Sequence, residues 1–141
     1  MKMKLQFLSL LTLAMITFAC QTSTDDNPSP GDVSNTLTDG RWKVSYYYDK
    51  DKVETGDFSG YTFDFRLDGA FIAYFGSNTT TGTWRTGTDN GSSRLIIDII
   101  GSKPLDDLPD DWIILEKSDN LIKLKDDNDT HLEELHFMRV N

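Results

Sequence analysis

Gly40-Arg41-Trp42-Lys43-Val44-Ser45-Tyr46-Tyr47-Tyr48 alternates between two kinds of side chain. Trp42, Val44, Tyr46 and Tyr48 fall on one face, and Lys43, Ser45 and Tyr47 on the other. That period of two is the pattern of a strand with one buried and one wet side. The same rhythm recurs outward along the chain. Residues 61–67 place Tyr61, Phe63 and Phe65 opposite Thr62, Asp64 and Arg66, and Asp68-Gly69 then marks a tight turn. Residues 70–75 send Phe71, Ala73 and Phe75 inward. A turn over 77–81 leads to a fourth strand, 82–86, carrying Trp84. Asp89-Asn90-Gly91 marks the next turn, and residues 94–100 follow with Leu95, Ile97 and Ile99 inward. Residues 104–108 fit one helical turn between two prolines. Three more strands complete the pattern: 112–117 (Trp112 and Ile114 inward), 121–125 (Ile122 and Leu124) and 131–140 (Leu135 and Phe137).

Eight short strands, tight turns and no long helix predict an all-β domain over residues 40–141. The expected form is a small eight-stranded antiparallel up-and-down barrel, since closure removes exposed edges. A sandwich is the competing architecture. It would separate the first strand from the last.

The N-terminus reads as an address. Met1 to Lys4 is basic, and residues 5–18 are mostly apolar. Fourteen residues are too few for an ordinary membrane span and suit a secretion signal. The stretch ends in Thr17-Phe18-Ala19-Cys20, and Cys20 is the only cysteine of the 141 residues. Small residues before a lone cysteine resemble the lipobox of bacterial lipoproteins, with Thr17 and Phe18 departing from its usual pair. The resemblance implies a signal peptide over 1–19. It also implies lipid on Cys20: diacylglycerol on the thiol and an acyl chain such as palmitate on the new amine. Gln21 at the next position and Asp25-Asp26 beyond it are compatible with an outer-membrane address, including display at the surface. Residues 20–39 are polar, with Val33 and Leu37 the sizeable apolar exceptions, and read as a disordered tether.

The net charge of −9 becomes −11 once residues 1–19 are removed, with 12 basic residues against 23 acidic. Such a domain repels phosphate backbones, so nucleic acid is excluded as a partner.

Taken together, Gly40-Arg41-Trp42, Gly60-Tyr61-Thr62-Phe63 with Asp68-Gly69, Thr81-Gly82-Thr83-Trp84, Asp111-Trp112, residues 121–126 and residues 135–139 resemble the lipocalin-like (calycin-like) domains of Gram-negative envelope lipoproteins. The resemblance implies that Trp42 packs across the closed end of the barrel with Arg139 laid over it as a structural pair. It also implies a ligand mouth at the other end, facing away from the membrane. The chain lacks the disulfide and long C-terminal helix of true lipocalins.

For that mouth, the candidate ligand-binding residues are Tyr48, Tyr61, Phe75, Trp112 and His131. They suit a small hydrophobic or amphipathic molecule. The competing reading is that bulky side chains fill the barrel, which then serves as a structural module or meets an envelope protein partner. No catalytic set of nucleophile and base stands out, and no cofactor is implied. The acidic run Asp126-Asp127-Asn128-Asp129 lacks the spacing of a calcium loop. His131 and Glu133 can share a strand face, but sequence supplies no third metal ligand, so no metal site is assigned.

Overall fold

The computed structural model describes residues 27–128 and 130–141. The expected signal peptide, Cys20 and the start of the expected tether lie outside the described residues. One helix, α1 (Pro30–Thr38), precedes nine antiparallel strands: β1 (Arg41–Asp49), β2 (Lys52–Val53), β3 (Tyr61–Phe65), β4 (Ala70–Phe75), β5 (Asn78–Asp89), β6 (Ser92–Asp98), β7 (Asp110–Lys117), β8 (Leu121–Lys125) and β9 (Glu134–Val140). They form one sheet in the order β2-β1-β3-β4-β5-β6-β7-β8-β9, and β1 also pairs with β9. β2 is a two-residue flap on the end of β1. The other eight strands close into a ring, so the first and last strands are neighbours, from Arg41↔Val140 to Tyr48↔Glu134.

Turn chemistry sets this register. Asn90 and Gly91 both have positive φ, +48° and +77°, as a two-residue hairpin turn of matching twist requires. β5 starts at Asn78, four residues before the expected strand. Asn78 to Thr81 carry no large apolar residue, so burial left no period to read.

The interior is full. Trp42, Trp112, Tyr47, Phe63, Phe71 and Phe137 are all less than 2% exposed. Phe63 stacks on Phe71 at 5.4 Å and meets Phe137 edge-on at 5.7 Å; Phe65 meets Phe137 and Trp84 edge-on at 5.3 and 5.4 Å. Each such side chain contributes roughly 1.5–3 kcal/mol by leaving water.

β1 departs from simple alternation, as β7 does at a register shift between Ile114 and Glu116. β1 pairs Val44 with Phe137 but Tyr46 with His136, so Ser45 is an extra residue, a β-bulge. A single added residue reverses the facing of everything after it. Trp42 and Val44 are buried as expected, but beyond the bulge it is Tyr47 and Asp49 that turn inward, at 1% and 9% exposure. The expectation that Tyr46 and Tyr48 point inward is therefore corrected. They stack on each other at 6.5 Å on the half-buried outer face.

The reading of residues 20–39 as disordered tether also fails from Pro30 onward. Ser29 caps α1, accepting from the Asp32 N–H at 3.2 Å, and Pro30 opens it. Val33 and Leu37, one helical turn apart, are both fully buried. Two apolar residues suffice because the helix has a surface to land on, the Trp42 end of the ring. Gly40, at φ +106°, then swings the chain into β1; a Cβ there would sit 3.0 Å from Arg139 Nη1.

Candidate functional site

The Trp42 end of the ring is closed by contacts in which each polar group is answered. The Trp42 indole N–H donates to the Leu37 carbonyl at 2.9 Å. The Arg139 guanidinium lies 5.0 Å from the centre of the Trp42 ring. It donates to the carbonyls of Asp119 (2.8 Å) and Thr36 (3.2 Å) and pairs with Asp39 at 3.1 Å. Nearby, Arg41 grips both oxygens of Asp64, at 2.9 and 3.0 Å, and the Tyr74 hydroxyl donates to the same carboxylate at 2.9 Å. Partial burial pushes the Asp64 carboxyl up, but the hydrogen bonds from Arg41 and Tyr74 outweigh it and hold it below the usual range.

The opposite end is built differently. β1 delivers Asp49 there, β7 begins with Asp110, and the segment between β8 and β9 supplies Asp126, His131 and Glu133. The backbone N–H of Asp126 donates to the Glu133 carbonyl at 3.0 Å, which ties the base of that segment. Arg94 of β6, 3% exposed, anchors the same segment from outside: its Nη2 lies 2.7 Å from Asp127 and its Nη1 donates to the Asp111 carbonyl at 3.4 Å.

Within this end, carboxylates crowd one another. One oxygen of each of Asp110, Asp126 and Glu133 lies within 4.8 Å of the others, and the ligand atoms of Asp49, His131 and Glu133 make a second such trio. The Tyr47 hydroxyl, turned inward by the bulge, donates to Glu133 at 2.6 Å. Burial, together with the charges of Asp49, Asp126 and Asp110, raises the Glu133 carboxyl above its ordinary range despite that hydrogen bond. Burial raises Asp110 as well, with Asp126 and Asp111 adding to it. Burial and the Glu133 partner push the Tyr47 phenol far up. Asp49 Oδ1 is buried and has no hydrogen-bond partner among the described residues.

The five candidate ligand residues do not converge. Trp112 is core, fully buried, with its indole N–H donating to the Leu108 carbonyl at 3.0 Å. Tyr48 is on the outer face, its hydroxyl 3.3 Å from Asp51. Tyr61 and Phe75 do meet, stacked at 4.7 Å on the rim, with Phe75 47% exposed. His131 joins the acidic end, its Nε2 3.7 Å from Asp49 Oδ1. Of the five, only Trp112 belongs to the packed interior of the ring. Depressions of about 650, 610 and 330 Å³ open on the surface, the first two beside α1 and the third in the seam between β1 and β3.

No family model matches this chain. No curated protein matches it either. Among solved structures, it is similar to the crystal structure of a DUF4847 family protein from Bacteroides vulgatus, with a TM-score of 0.53 and 16% identity over 75% of this chain and 96% of that one. At that identity the likeness speaks for the fold alone.

Two residues of the acidic end escaped the sequence. Asp49 looked like a loop acid because nothing marked the bulge at Ser45. Arg94 looked like an outward strand charge. The one available signal was its place between Ser93 and Leu95, in a strand otherwise rich in buried residues.

Proposed function

We propose that this protein is a non-catalytic, lipid-anchored component of the bacterial outer membrane. Its ring is a small lipocalin-like barrel that acts as a structural or protein-interaction module. The packed interior carries this reading: six of the largest side chains are less than 2% exposed and occupy the space a carried ligand would need. The alternative, a carrier of a small hydrophobic or amphipathic molecule, would need an apolar cavity of roughly 300 Å³ or more. The candidate residues for it are dispersed between core, rim and outer face. Anchoring rests on the sequence, where Cys20 is the lone cysteine and ends an apolar leader. In this reading α1 and the Trp42 end lie toward the membrane, and the acidic end faces outward to a partner.

Native mass spectrometry of the lipidated chain, extracted from its own membrane and incubated with envelope lipid extract, tests the module against the carrier. The mass of the acylated protein alone is expected. A bound small molecule that leaves on denaturation would overturn the filled-barrel reading. An unmodified cysteine would overturn the anchor.

A further inference from the structure

We propose that Asp49, His131 and Glu133 form a binding site for one divalent transition cation of the zinc class at the acidic end of the ring. The inference does not depend on the protein's being lipid-anchored or meeting a partner.

The first observation is the unanswered carboxylate. Asp49 is 9% exposed, and its Oδ1 has no hydrogen-bond partner among the described residues. A buried charged oxygen that accepts no hydrogen bond costs roughly 1–3 kcal/mol or more, so a fold that keeps one calls for an occupant beside it. That oxygen lies 3.7 Å from His131 Nε2, beyond hydrogen-bond reach. For two ligands about 2.1 Å from a tetrahedral ion, the expected separation is about 3.4 Å.

The second observation concerns which ring nitrogen of His131 carries a proton. The Thr130 backbone N–H donates to Asn128 Oδ1 at 2.9 Å, which makes that atom an acceptor. The Thr130 hydroxyl, 2.5 Å from the same oxygen, must then donate to it. The hydroxyl oxygen is thereby free to accept, and His131 Nδ1, 3.2 Å away, is its donor. In the neutral ring Nε2 therefore presents a lone pair. Two acceptors, Nε2 and Asp49 Oδ1, face each other with no donor of the described residues between them. A cation belongs there.

The third observation is that each ligand is held from behind. His131 Nδ1 is held by Thr130, Asp49 Oδ2 lies 3.2 Å from Lys50 Nζ, and Glu133 Oε1 accepts from Tyr47 at 2.6 Å. Such outer partners orient the first ring of metal ligands. One imidazole and two carboxylates suit zinc better than calcium, which takes six to eight oxygens. The set leaves a fourth position open to water or to a partner's side chain.

The test uses the full chain without an affinity tag, stripped of metal with a chelator and titrated calorimetrically with Zn²⁺ and, separately, Ca²⁺. One Zn²⁺ per chain at micromolar or tighter affinity is expected, with a rise in melting temperature. Asp49→Asn and His131→Gln should each weaken binding by about 100-fold or more, while Asp57→Asn, an acid of the neighbouring turn, should leave it unchanged. The metal-free Asp49→Asn chain should melt no lower than the parent, which separates lost binding from lost folding. The proposal is overturned if Zn²⁺ does not saturate below millimolar, or if both variants bind it like the parent. It is also overturned if Ca²⁺ binds as tightly as Zn²⁺ and ignores His131→Gln.

Discussion

The two ends of β1 bury polar groups in opposite ways. At the Trp42 end the indole N–H and the Arg139 guanidinium find carbonyls, a carboxylate and an aromatic face within 2.8–5.0 Å. At the Asp49 end carboxylates meet carboxylates, and a buried oxygen has no hydrogen-bond partner among the described residues. A polar network that is fully satisfied specifies structure, whereas one left short is where function usually resides. The contrast separates what holds this fold together from what the fold holds in readiness.

The largest effect should come from breaking the satisfied end. Trp42→Ala removes the fully buried indole on which α1 and Arg139 rest, and is expected to cost about 3–5 kcal/mol in urea unfolding. Arg139→Ala comes next. It takes away two carbonyl contacts, an ion pair and a cation–π contact from a side chain only 17% exposed, for about 2–3 kcal/mol by the same assay. Restoring the stability with Arg139→Lys would contradict the planar stack assigned to it. At the other end the sign reverses. Asp110→Asn and Glu133→Gln each remove a crowded carboxylate whose charged form disfavours the fold, and each should stabilise the metal-free chain at neutral pH.

The two ends should also answer pH in opposite directions. Asp64, near Trp42, has a folded pKa below its ordinary value of 3.8. Its contribution is therefore present above 3.8 and lost as pH falls. Glu133 and Asp110 have folded pKa values above their ordinary ones of 4.5 and 3.8. Their protonated forms favour the fold, so that stability is present at low pH and drains away as pH rises through the folded values. Glu133→Gln should hence lose less stability than the parent between pH 4 and 7, while Asp64→Asn should lose less below pH 4, both followed as urea midpoints.

Much of this molecule could be read before it was seen. Most inward residues from β3 to β9 follow the period of two, with Arg94 buried out of turn and Phe75 exposed on the rim against expectation, and Asn90-Gly91 and Gly69 fall where their positive φ is needed. Arg139 shares parity with Leu135 and Phe137, which brings it to Trp42. The acidic end was less legible because of one residue. A bulge at Ser45 leaves no mark in the apolar pattern when tyrosines occupy Tyr46, Tyr47 and Tyr48 in a row, for any facing then looks acceptable. Inverting that facing brings Asp49 beside His131 and Glu133, the pair that sequence left without a third member. The helix over residues 30–38 did have signals: a serine cap, a proline at its start and an apolar pair four apart. Polar composition masked them.

The most direct test of the contrast is the melting temperature of the metal-free parent and of an Asp110→Asn/Glu133→Gln double variant, measured at pH 5 and pH 8. The acid-crowded end predicts a double variant that gains on the parent as pH rises, with a larger margin at pH 8 than at pH 5. Equal margins, or a margin that shrinks at pH 8, would mean that these carboxylates do not strain the fold, and the distinction between the two ends would fall.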